Sequence, residues 1–146
     1  MTTRERVHGV LGYYDGVLNG VADFHGVPHA FELHGDLDDE VLTYRLAPLS
    51  PATMTLFVEA WDIWLRWENG APTRVDSDTI PALPADRNRY AHLKPILDVA
   101  LKVPPHSPVM AIGEFVPRPG ADPQRDGRWA LDVEWTSVGS GDTRRK

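Results

Sequence analysis

The sequence predicts an α+β domain: a curved antiparallel sheet, built from strands within residues 8–46 and 108–137, with two helices, over 51–69 and 86–102, packed on one of its faces. Three observations carry this prediction. Apolar residues alternate with a period of two near both ends of the chain, and with a helical period across its middle. The order is strands, then helices, then strands, with no strand–helix–strand alternation. The connections between strands are short enough for hairpins. A partly open β-barrel with a helical insertion is the alternative arrangement of the same elements.

The first strand candidate is Val10 to Tyr14, closed by Asp15-Gly16, and Asn19-Gly20 reads as a second turn. Val21 to Phe24 and His29 to Leu33 form a hairpin around His25-Gly26-Val27-Pro28, where glycine and proline supply the turn. In Val41 to Leu46 the residues Leu42, Tyr44 and Leu46 face one way and Thr43 and Arg45 the other. Gly35 to Glu40 is an acidic connection.

Residues 51–69 are the clearest helix. Ser50 is a suitable N-cap, Pro51 fits the first helical position, and Gly70 fits the residue past the end. Met54, Phe57, Val58, Trp61, Trp64 and Leu65 make the main apolar face. Asp62 and Arg66 stand at pairing distance. Leu56, Ala60, Ile63 and Trp67 make a second apolar stripe, so this helix needs two coverings. The second helix repeats Tyr90, Leu93, Leu97 and Leu101, with Asp86 as its cap and a kink or break expected at Pro95. Val109 to Val116 is a strand, followed by a polar loop. Trp129, Leu131, Val133 and Trp135 then alternate with polar residues, the best strand signal in the chain, and are expected to face Phe57 and Trp61. Residues 1–138 read as one domain and 139–146 as a flexible basic tail.

Composition bounds the function. The 146 residues include no cysteine, which removes disulfides, thiolate chemistry and cysteine-ligated zinc. Formal net charge is −6; without 139–146 the body holds 12 bases and 20 acids and reaches −8. That sign opposes binding to nucleic acid or to anionic membrane and suits a basic protein partner. The first residues are charged without a following apolar run, so no signal peptide is predicted, and the compartment is read as bacterial-type cytoplasm. No apolar run is long enough to span a bilayer.

Four constellations are candidates for function. His25 and His29 flank one turn and, with His34 and Asp23 or Asp36, suggest a divalent metal, although hairpin-end histidines commonly bond locally. Asp36 to Glu40 fails as a calcium loop, because the positions that need glycine and glutamate hold Val41 and Ala47. Glu32, His34, Glu114, Asp132 and Glu134 share the polar face of the predicted sheet, as a docking surface for a cationic partner or as acid/base groups. Trp67 belongs to a stripe that becomes an interface patch, including a homodimer contact, if nothing covers it.

No phosphate loop, nucleophile elbow or aromatic–basic strand is present, no catalytic residue is assigned and no cofactor is implied. The leading expectation is an interaction protein that neutralises or adapts a basic partner, or self-associates. A small hydrolase or metal-dependent enzyme is the first alternative, using Asp23, His25, His29 and His34 or the carboxylates Glu32, Glu114 and Asp132. A ligand-binding barrel with Tyr13, Tyr14, Tyr44 and Trp135 lining a cavity is the second.

Overall fold

The computed structural model describes residues 2–70, 80–107, 109–121 and 130–138. Trp129 and the tail at 139–146 lie outside these residues. Six strands form one antiparallel sheet: β1 (Thr2–Tyr13), β2 (Val17–Phe24), β3 (Val27–His34), β4 (Thr43–Pro48), β5 (Val109–Pro117) and β6 (Leu131–Ser137). Between β4 and β5 come α1 (Pro51–Asn69), a 3-10 turn at Pro84–Asp86 and α2 (Arg87–Ala100). The chain divides into two compact units, one of Met1–Leu49 with Val103–Lys146 and one of Ser50–Lys102.

The expected open sheet is corrected by the first strand. β1 pairs with β2 on one side and with β6 on the other, which closes the six strands into a barrel in sequence order. Closure leaves no edge strand to protect. Arg4, Glu5 and Arg6 do not look like strand residues, which hides the first half of β1 from sequence patterning. Two of them fit because the first strand meets the acidic last one, Arg4 opposite Glu134 and Arg6 opposite Asp132. Register shifts in β1 between Val7 and Gly9, and again between Val10 and Gly12, mark bulges, which bend and twist a strand and so help a sheet close.

Alternation settles which side chains fill the interior. Tyr44 and Leu46 of β4 are fully buried, with Phe31, Val133 and Trp135. The rings meet edge to face: Trp135 lies 5.9 Å from Tyr44 and from Phe31, 6.1 Å from Phe24 and 6.1 Å from Phe115, centroid to centroid. The ring partners of Trp135 within its own barrel are thus Phe24, Phe31, Tyr44 and Phe115. Such tilted contacts satisfy the ring quadrupoles. The Trp135 indole N–H donates to the Asp23 carbonyl at 2.8 Å, and the Tyr44 hydroxyl donates to the Val17 carbonyl at 2.6 Å, so neither buried polar group is left unmade.

The hairpin at His25-Gly26 forms as expected. Both residues take positive φ, 54° and 77°, as a tight two-residue hairpin requires. Asn19-Gly20, in contrast, is no turn and lies inside β2. Gly20 is there for close approach: a Cβ would stand 2.2 Å from the Gly9 carbonyl oxygen.

In the helical unit, Ser50 caps α1 through Thr53 N–H at 3.1 Å, with Pro51 in the first turn. Phe57 and Ile63 are the buried residues of α1, while Val58 is exposed. Phe57, Trp61 and Trp64 stack in sequence along it. Arg66 does not take Asp62 as its hydrogen-bonded partner. It grips Asp86 with two bonds of 2.9 and 3.0 Å, which diverts the Asp86 side chain from capping α2. Arg89 of α2 likewise grips Glu59 of α1. Of the kink or break expected at Pro95 the break does not occur: α2 runs through it as one element with Leu93 and Leu97 buried.

Candidate functional site at the barrel mouth

One end of the barrel collects the end of β1, the start of β2, the end of β3 and the start of β4, with the end of β5 and the start of β6. β5 outruns β4 here: Thr43 is the first β4 residue in register, opposite Ile112, so Glu114 to Pro117 have no β4 partner. The interior therefore opens at this end into a cavity of about 610 Å³. Its aromatic lining is Tyr13, Tyr44 and Phe115, its aliphatic lining includes Leu42, Ile112 and Leu131, and its charged lining is Glu40 and Glu114. This size and this mixture of apolar wall with a few polar groups are ordinary for small-molecule sites, which run to about 300–1,000 Å³.

The rim is shaped by the acidic connection between β3 and β4. Its Asp39 carboxylate accepts from the Asp36 N–H at 3.0 Å, and the Asp39 N–H donates to the Asp36 carbonyl at 3.1 Å. Leu37 reaches the β1–β2 turn, where a Cβ on Gly16 would come within 2.9 Å of it. Leu11, Tyr13, Tyr14 and Val41 are exposed on the hairpin and loop at this end.

Of the tyrosines and tryptophan expected to line a cavity, Tyr13 and Tyr44 do so. Trp135 instead belongs to the packed interior, and Tyr14 is 73% exposed. Burial pushes the Tyr44 phenol well above the ordinary tyrosine range.

The polar-face residues separate into two groups. Glu114 and Glu134 stand directly opposite each other on β5 and β6, and Arg4 of β1 donates to Glu134 at 2.7 Å. Asp132 accepts from Arg118 at 3.4 Å, and the same guanidinium donates to the Val7 and Leu131 carbonyls, both at 3.0 Å, tying the seam between β1, β5 and β6. Glu32 lies apart, opposite Arg45, whose own β5 partner is Met110. Arg45 donates to Glu32 at 2.9 Å and to Nδ1 of His34 at 2.7 Å. A guanidinium has no acceptor, so His34 carries its lone pair at Nδ1. The Nε of Arg45 and the Oδ1 of Asn19, which also pairs with Glu32 in the ladder, are buried without hydrogen bonds. Three of the four predicted carboxylates are thus matched by arginines, and no described side chain pairs with Glu114.

His25 and His29 both pack against Phe24, with ring centroids 4.2 and 5.4 Å from it. His29 is buried and its Nδ1–H donates to the Val27 carbonyl at 2.7 Å, while His25 is exposed at the turn against Phe24. Among the described residues no group of three or more His, Asp or Glu is arranged to hold a metal ion. Asp23 pairs instead with His8, at 2.8 Å, a residue in the β1 bulge that sequence patterning passed over with its strand. Glu5 was missed for the same reason; its carboxylate accepts the His25 and Gly26 amides at 2.8 and 2.7 Å. Trp67 is half-buried on α1. No described helix is long and apolar enough to cross a membrane. No family model matches this chain, and no curated protein or solved structure was found similar to it.

Proposed function

We propose that this protein is a small-ligand-binding barrel that holds its ligand in the open mouth. The single observation that carries the reading is the 610 Å³ cavity, walled by aromatic and aliphatic side chains and carrying two carboxylates. Closed barrels of few strands commonly place ligands there, because the packed interior gives a rigid floor and the loops supply contacts. A thermal-shift screen of small molecules against the full chain tests it, repeated on Leu42→Trp, which fills the cavity. A ligand at a hundred times its Kd stabilises the folded protein by about 2.7 kcal/mol. Stabilisation of the wild-type chain that vanishes in Leu42→Trp is the expected result. Ligands that act equally on both proteins would overturn the reading.

A second reading, docking of a basic protein partner, has one specific support. Glu114 is exposed, faces another carboxylate and has no cation among the described side chains. Salt-sensitive capture of a basic protein, lost in Glu114→Gln, is its expected signature.

A further inference from the structure

We infer that the ligand of the barrel mouth is an organic cation, an ammonium group on a small apolar body; this rests on the ligand-binding reading. Among the described residues the charges of the lining have one sign. Glu40 on the acidic loop and Glu114 at the rim, on the outward side of β5 beside Glu134, are present, and no Lys, Arg or His stands among the described lining residues. No described side chain neutralises either of them; the group opposite Glu114 is a second carboxylate, Glu134, which already holds Arg4. The loop that presents Glu40 adds Asp36, Asp38 and Asp39, and it is pinned to the neighbouring turn through Leu37 and Gly16. Carboxylates around a cleft with low-dielectric walls focus a negative potential into it.

The wall suits the same ligand. Tyr13, which is exposed, and Phe115, which is half-buried, line the cavity, so it presents aromatic surface, the partner that organic cations favour. The Tyr44 hydroxyl is already committed to the Val17 carbonyl, which removes a donor that an anion would need. A carboxylate ligand would meet repulsion at the rim, and a neutral one would leave the field unused.

The test titrates the full chain with three probes of matched shape, 2-phenylethylammonium, 2-phenylethanol and phenylacetate, followed by the amide resonances of Leu42 and Gly113. The ammonium should bind roughly tenfold more tightly than the alcohol at low salt, and phenylacetate most weakly. Molar salt and the Glu40→Gln/Glu114→Gln double variant should each shrink the gap between ammonium and alcohol. Equal binding of alcohol and ammonium, or equal weakening of all three probes in the double variant, overturns the cation inference and leaves the ligand site standing. Absence of binding by every probe overturns the inference and the ligand-binding reading together.

Discussion

Trp135 lies across Gly113, its direct partner on β5, so closely that a Cβ on Gly113 would stand 2.7 Å from the indole ring and 3.2 Å from the Tyr44 ring. The missing side chain is what lets the largest residue of the interior lie flat against the sheet beside the cavity floor. Gly113→Ala should therefore destabilise the protein by about 1–3 kcal/mol, the usual penalty for overpacking. Chemical denaturation measures it. In a Trp135→Leu background the same substitution should cost far less; an undiminished cost there would detach Gly113 from the indole.

Tyr44 combines full burial with a hydroxyl bonded to the Val17 carbonyl. Tyr44→Phe leaves that carbonyl unmatched, at a cost of about 1–3 kcal/mol. Burial raises the phenol in the folded state, so the folded protein keeps a proton that the unfolded chain loses above about pH 10. This contribution is complete below that pH and falls as pH rises beyond it. Absorbance titration should show a late phenolate step that Tyr44→Phe removes.

Glu5 holds the turn between β2 and β3 by accepting two of its amides. Glu5→Ala should cost about 1–2 kcal/mol, the scale of hydrogen bonds to a charged acceptor at a partly solvated site. It should also speed hydrogen exchange at His25 and Gly26 more than at the middle of β3. Unchanged exchange at the two turn amides would contradict this role.

In the helical unit, the hydrogen bonds from Arg89 and Arg66 hold the Glu59 and Asp86 carboxyls below their ordinary range. For a depressed carboxylate the stabilisation is present above its unfolded pKa, near 4, and is lost as pH falls through the folded value. NMR titration of the carboxyl carbons should give low midpoints that return toward ordinary values, Glu59 in Arg89→Ala and Asp86 in Arg66→Ala. Both arginines are exposed and the pairs are open to solvent on that side, so the accompanying change in stability should be small, and smaller for Glu59 than for the more covered Asp86.

The sequence by itself determined the order of elements and the faces of most of them. Alternation in β4 and β6 placed Tyr44, Leu46, Val133 and Trp135 inward, and Ser50-Pro51 announced the start of α1, because these signals act within a few residues. Local rules also gave Arg45 and the carboxylates their outward direction. What they left open was partnership across the chain. That β1 closes the sheet against β6, that arginines on other strands neutralise Glu32, Asp132 and Glu134, and that β5 outruns β4 to open a cavity are decided by register between distant segments. The same alternating strands serve an open sheet or a closed barrel, and only the pairing of the first strand with the last selects between them.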